Sequence, residues 1–267
     1  MSAEILALCN QKGGVGKTTT AFHLARAAVL TGRRVLLVDA DPQGNLTAVT
    51  TGEPVADDQV GVADALSTHA PETLADVIVP GVWPGLGVAP TSGITLGAVR
   101  DELVIAGAGR EARLRHALAN VAGEYDLILI DCAPSLDQLT VNALTAARRA
   151  VVVTQAKLFS ANGLAQLLET VATVRDHYNP ALTIGGVIVN QHEAATISGR
   201  QWLEDLHAAG GEQHIPVLTP PIPKRVVISD ALEAATGLDE WGTADAAGIG
   251  DLYARHLARI EEGGQQQ

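Results

Sequence analysis

The sequence predicts an α/β fold, a mostly parallel twisted sheet with helices on both faces. Three observations carry that expectation. Short continuous aliphatic runs recur at residues 35–38, 127–130, 150–153 and 184–189, and such runs suit strands buried on both faces. Segments with helical spacing of apolar residues lie between them, and this alternation of strand and helix is the mark of a parallel sheet. Two of the runs end at an acidic residue, Asp39 and Asp131, and an open α/β sheet binds its ligands at the carboxyl ends of its strands.

In chain order, residues 5–10 form a first short strand, followed by glycines. Residues 18–31 have helical spacing, with Gly32 as the stop. The strand at 35–38 ends at Asp39. Residues 52–95 are irregular and acidic, with several Pro and Gly residues, and are expected to hold short helices and one strand near 86–88. Helical patterns follow at 101–121, broken near Gly107 and Gly109, then at 138–147, 161–177 and 199–209. The last helix carries Tyr253, Leu257 and Ile260 on one face before a polar end. No internal repeat is present. The expected organisation is one domain over residues 1–262 and a disordered tail at 263–267.

Composition narrows the function. With 47% hydrophobic, 18% charged and only 3% aromatic residues, the 267-residue chain reads as globular with an aliphatic core. A net charge of −12 gives no general attraction to nucleic acid or anionic lipid, so any DNA contact needs a local basic patch. Two cysteines, Cys9 and Cys132, exclude a disulfide framework and a four-cysteine zinc site, and are expected as buried free thiols. No signal peptide and no apolar stretch of membrane-spanning length is recognised, so a cytoplasmic location is expected. His192-Glu193 lacks the second histidine of a zincin helix, and Ser135 lacks the glycines of a nucleophile elbow. The tryptophans read as packing residues.

The most informative stretch is "NQKGGVGKTTTAFHLA", residues 10–25. A strand, a glycine-rich turn and Lys-Thr at a helix start form a phosphate-binding arrangement. Backbone N–H groups from Gly13 through Gly14, Val15, Gly16, Lys17 and Thr18 to Thr19 would surround phosphate oxygens. Lys17 would reach the β- and γ-phosphates, and the Thr18 hydroxyl would serve Mg²⁺. An ordinary P-loop has glycine at position 11, where this chain has Gln11. The strand "YDLILIDCAPS" ends at Asp131, an acidic residue expected near Mg²⁺.

Read as Lys12-Gly13-Gly14-Val15-Gly16-Lys17-Thr18, the turn resembles the deviant Walker A box of the ParA/MinD group of P-loop ATPases. "DADPQGN" at residues 39–45 resembles the ParA switch segment, and "DCAPSLDQLTVNAL" and "VVVTQAKLFSANGLAQLLETV" resemble later ParA segments. The likeness covers residues 5 to about 235 and is weakest at 52–95. It implies a P-loop NTPase fold, with ATP and Mg²⁺ as cofactors. It also implies that Lys12 reaches the partner subunit's ATP in a sandwich homodimer, that Asp41 positions or activates the attacking water, and that Asp39 helps hold Mg²⁺ through water. By the same likeness, Asn190 contacts the adenine, and Pro223 lies in a loop closing over the base.

Within that group the chain is similar to the small ParA form without an N-terminal helix-turn-helix. The resemblance therefore implies an ATPase for DNA segregation that dimerises with ATP, binds nonspecific DNA on the nucleoid, and is stimulated by a ParB-type centromere-binding protein. Arg200, Lys224 and Arg225 are the candidate DNA contacts by the family pattern. One alternative is a ParA-like ATPase positioning another cargo. Another is a MinD-like membrane regulator, which the acidic last helix disfavours. Neither cysteine matches the cluster ligands of the iron–sulfur relatives, and three tyrosines do not make a tyrosine-kinase tail.

Overall fold

The computed structural model describes residues 3–56, 58–156 and 160–263, with backbone alone for 160–164. Seven strands form one sheet in the order β3-β4-β2-β5-β1-β6-β7. They are β1 (Glu4–Cys9), β2 (Val35–Ala40), β3 (Val79–Pro80), β4 (Leu86–Ala89), β5 (Leu127–Cys132), β6 (Arg149–Thr154) and β7 (Thr183–Val189). All neighbours pair parallel except the edge strand β3, which runs antiparallel to β4. The helices are α1 (Lys17–Leu30), α2 (Asn45–Thr50), α3 (Val62–Leu66), α4 (Leu74–Val77), α5 (Thr95–Ile105), α6 (Arg113–Ala119), α7 (Gln138–Ala146), α8 (Ser160–His177), α9 (Ile197–Glu212), α10 (Val226–Glu233) and α11 (Ala244–Glu262).

Side chains alternate across each central strand, so each face of the sheet has its own core. One core gathers Ala7, Cys9, Leu36, Val38, Ile128 and Ile130 with residues of α3, α5, α6, α7 and α8. The other gathers Leu6, Leu8, Leu37 and Leu129 with residues of α1, α10 and α11. Leucine, isoleucine and valine fill both, as the scarcity of aromatics requires. Cys9 and Cys132 are buried free thiols, and burial pushes Cys9 up to about 12. The outer edge of β7 is covered by residues 216–222. Val187 N–H donates to Pro216 O (2.8 Å), and Leu218 and Ile222 donate back to Val187 O (2.9 Å) and Val189 O (2.8 Å).

Several details differ from the sequence reading. Asp39 lies inside β2 and not beyond it, and β5 runs one residue past Asp131. Both aspartates hold ladder positions because β2 and β5 pair along their full lengths, including Asp39 with Asp131. The helical pattern over 101–121 breaks as expected around Gly107 and Gly109, between Ile105 and Arg113, but α5 begins earlier, at Thr95. Residues 52–95 hold α3, α4 and β4 and also the two-residue β3, too short and too proline-limited to show as a periodic pattern. Of the expected tail, residues 264–267 lie outside the described residues.

α1 ties the second core together. Its His23 is buried, with Nε2 3.2 Å from the Ile228 carbonyl on α10 and its ring 4.9 Å from that of Tyr253 on α11. Burial lowers His23 from 6.5 to about 4, so the ring is neutral in the fold. The unfolded chain takes up the proton first as pH falls below 6.5, so the stability that a neutral His23 brings is complete above that pH and is lost as pH falls toward 4. The stability advantage of wild type over His23→Phe should shrink by about 2 kcal/mol between pH 7 and pH 5. Urea unfolding of both proteins at the two pH values measures this difference, in which all other titrating groups cancel.

Candidate functional site

The turn between β1 and α1 is built from outside by amide side chains. Asn10 donates to Val153 O (2.7 Å) and accepts from Lys12 N–H (2.9 Å). Gly14 has φ +71° and Gly16 φ +88°, left-handed values that glycine adopts without strain. A Cβ on Gly16 would lie 2.2 Å from Asn190 Nδ2. Side chains of Asp137, Thr196 and Thr243 cap the first turns of α7, α9 and α11. α1 starts on Gly16 with no side-chain cap. Its first-turn N–H groups and the positive end of its dipole therefore face the turn, where an anion can take them up.

Three carboxylates stand at the neighbouring strand ends. Asp131 Oδ2 accepts a 2.6 Å hydrogen bond from Thr18 Oγ1, while its buried Oδ1 has no partner among the described residues. Burial, with Asp39 nearby, raises Asp131 to about 8; the Thr18 hydroxyl and the Lys17 ammonium act in the opposite sense. Asp39 is occupied otherwise. Its Oδ2 accepts from Thr47 N–H (2.8 Å) and Thr47 Oγ1 (2.7 Å), and its Oδ1 from Asp41 N–H (3.2 Å). Burial raises Asp39 to about 6 despite these donors. Asp41 is buried, and its Oδ1 accepts from Gln43 N–H (3.0 Å). Lys17 is buried at the first position of α1.

No cluster of three or more His, Cys, Asp or Glu able to hold a metal ion is present among the described residues. The donor set instead suits Mg²⁺ arriving with phosphates. Asp131 offers an unpartnered buried oxygen beside the Thr18 hydroxyl, and Mg²⁺ is usually held by one or two carboxylates completed by phosphates and water. Asp39 fits only at a remove, because both its oxygens already accept hydrogen bonds from the segment that follows.

Asn190, Pro223, Lys224 and Arg225 meet Thr19 and Ile228 around a cavity of about 270 Å³. The Asn190 amide is already engaged, donating to Val15 O (3.2 Å), Gly16 O (3.4 Å) and Thr20 Oγ1 (3.4 Å). The three basic residues are all engaged: Arg200 donates to Ala194 O (2.8 Å), Lys224 pairs with Glu193 (2.9 Å), and Arg225 lies 3.6 Å from Asp245. Lys12 is half-buried on the turn itself. Lys157, in the segment likened to ParA, lies outside the described residues.

Sequence reading missed Thr47, which joins Asp39 to Thr91 N–H (2.9 Å), and the pair Gln155 and Gln191. Gln155 Nε2 donates to Gly14 O (3.1 Å) and Gln191 Oε1 (2.8 Å), and Gln191 Nε2 donates to Gly14 O (3.2 Å). The signal was available, since both glutamines lie just beyond the carboxyl ends of aliphatic strands, as the noted aspartates lie at such ends.

Comparison with known proteins agrees with this fold. The family described as an AAA domain matches residues 3–184. The chain is 42% identical over 232 residues to "Chromosome partitioning protein ParA" of Caulobacter vibrioides (strain NA1000 / CB15N), covering 85% of this chain and 83% of that protein. It is 41% identical over 228 residues to "Sporulation initiation inhibitor protein Soj" of Bacillus subtilis (strain 168), covering 85% and 87%. Among solved structures, cobyrinic acid a,c-diamide synthase from Mycobacterium smegmatis, with bound ATP analog and magnesium, is similar with a TM-score of 0.80 and 33% identity, over 98% of this chain and 97% of that one.

The buried carboxylates lead to a prediction about the ligand-free protein. Asp131 lies far above its unfolded value of 3.8, so the folded chain keeps a proton that the unfolded chain gives up, and stability is lost as pH rises from 3.8 to about 8 and levels off beyond it. Asp131→Asn keeps an acceptor for Thr18 and removes the charge. Its thermal midpoint without ligand should exceed that of wild type at pH 8, and differential scanning fluorimetry measures this.

Proposed function

We propose that this chain, which belongs to the ParA/Soj family of ATPases, is a DNA-partition ATPase: it binds ATP with Mg²⁺, dimerises, binds DNA without sequence preference on the nucleoid, and is stimulated by a ParB-type partner. The observation that carries the reading is the uncapped helix start behind a glycine turn, with buried Lys17 and the Thr18–Asp131 pair beside it. Phosphoryl transfer is mostly positioning and electrostatic stabilisation, and the residues divide along those lines.

The N–H groups from Gly13 to Thr19 hold the phosphates, and Lys17 neutralises charge on the β- and γ-oxygens. Thr18 and Asp131 would hold Mg²⁺, which supplies further neutralisation of the transferring group. Asp39 anchors the switch segment through Thr47 and the Asp41 N–H, with any contact to the ion made through water. That anchoring fixes Asp41, which orients the attacking water. Lys12 serves the partner subunit's nucleotide, and the cavity bounded by Asn190 and Pro223 takes the base.

Arg200, Lys224 and Arg225 remain the candidate DNA contacts. Their present partners do not exclude this, because exposed ion pairs contribute only about 0–1 kcal/mol and exchange readily for phosphate. The apolar face of α11 favours DNA over a membrane: Tyr253, Leu257 and Ile260 are buried in the core shared with α1. No helix of the described residues is long and apolar enough to cross a membrane. An ATPase positioning another cargo would share every residue role, differing only in its partner.

Lys17→Ala should lose MgATP binding by about a hundredfold or more, since a charged hydrogen bond and a phosphate countercharge both vanish. Asp41→Ala should keep affinity, hydrolyse about a hundredfold more slowly and accumulate as a dimer in light scattering. Calorimetric titration in which Lys17→Ala retains wild-type affinity would refute the site. Arg200→Ala, Lys224→Ala or Arg225→Ala should weaken DNA binding by the ATP-loaded Asp41→Ala dimer equally on unrelated sequences and flatten its salt dependence. Equal salt slopes in all proteins would place the DNA surface elsewhere.

A further inference from the structure

The carbonyls of the glycine turn are held as tightly as its N–H groups are left open. Gly14 O takes two donors, the Nε2 groups of Gln155 and Gln191. Val15 O takes the Nδ2 of Asn190 (3.2 Å), while Gly16 O is held within α1 by the Thr20 N–H (2.9 Å) and Oγ1 (2.7 Å). Gln155 and Gln191 are also bonded to each other, so both hydrogens of the Gln155 amide are committed. Gln155 stands just beyond the end of β6, and Asn190 and Gln191 just beyond β7.

In a planar trans peptide the C=O and the following N–H point in opposite directions. Fixing the carbonyls of Gly14 and Val15 toward the β6 and β7 ends therefore fixes the N–H groups of Val15 and Gly16 the other way, out of the turn. The arrangement is held under strain. Gln191 sits at φ +52°, in the left-handed region that a residue other than glycine leaves unless its surroundings hold it. What holds it is the bond from its own N–H to Asn190 Oδ1 (3.0 Å) and its two side-chain bonds.

We propose that Gln155 and Gln191, together with Asn190, are positioning residues that preset the peptide planes from Gly14 to Gly16 for phosphate before nucleotide arrives. The proposal rests on the reading of this turn as the nucleotide site and adds to it how the chain avoids ordering the middle of the turn at each binding event. Donors already aimed at an anion lose less entropy on binding than donors that must be gathered. Because these N–H groups already contact the phosphates when nucleotide binds, most of what the brace contributes is realised on binding, and it acts on affinity more than on the chemical step.

The test uses the full chain with two pairs of variants, Gln155→Glu and Gln191→Glu, which keep shape but remove the amide donor, and Gln155→Met and Gln191→Met, which remove it without adding charge. The ligands are MgATP and magnesium pyrophosphate, followed by calorimetry, with ATPase kinetics and the thermal midpoint of the ligand-free protein alongside. Each single variant should weaken both ligands by about tenfold, the worth of one lost hydrogen bond, with a larger loss in the Gln155→Met/Gln191→Met double variant. KM should rise while kcat stays within about threefold, and the ligand-free midpoint should fall by no more than about a few degrees, as the loss of these bonds requires. Affinities within twofold of wild type overturn the brace while leaving the nucleotide site intact. So does a midpoint that falls while both affinities hold, because that marks a merely structural role. Failure of the wild-type chain to bind MgATP overturns the proposed function, and the brace with it.

Discussion

The register of β2 against β5 sets Asp39 level with Asp131 on adjacent buried strands, and much of the site is an answer to that placement. Two carboxyl groups so close in a low-dielectric interior cannot both ionise without help. The help comes from different sources. Asp39 is satisfied from within the chain, by Thr47 and the Asp41 N–H, and so becomes the anchor of the segment that follows β2. Asp131 receives only the Thr18 hydroxyl and the field of Lys17, and keeps an oxygen without a partner. One carboxylate is thereby made structural and the other left in need of a cation.

α1 joins that electrostatic demand to the packing of the whole second core. Its first residues, Lys17 and Thr18, face the carboxylates. Its middle, through Phe22 and His23, packs against Trp83 and Tyr253. Arg26 then ion-pairs with Asp239 and lies 5.0 Å from the Trp83 ring centroid. A helix fixed at so many points cannot shift to suit a ligand, so the adaptable parts of the site must lie in the surrounding loops.

The sheet, its direction and most of its helices were legible because parallel strands buried on both faces advertise themselves as aliphatic runs. The turn, Lys17, Thr18 and Asp131 were legible for a related reason: polar chemistry concentrates where such runs end. The same rule would have pointed to Gln155 and Gln191, yet a glutamine after a strand carries no charge and matches no spacing, so its partner cannot be read without the fold. Asn190 was visible as a strand-end residue, but not the direction of its amide, which depends on how closely Gly16 approaches it. β3 escaped notice because two residues carry no periodicity. Thr47 was hidden because its partner, Asp39, is eight residues away across a glycine turn.

The stretch that runs along the outer edge of β7 has a second consequence. Residues 216–222 take up the edge hydrogen bonds of the sheet and then continue directly into Pro223, Lys224 and Arg225 at the mouth of the cavity. An open strand edge is a template for pairing with another chain. The guard against self-association and the rim of the ligand cavity are therefore one piece of polypeptide. Damage that loosens the rim also uncovers the Val187–Val189 end of β7 and opens it to pairing with another chain.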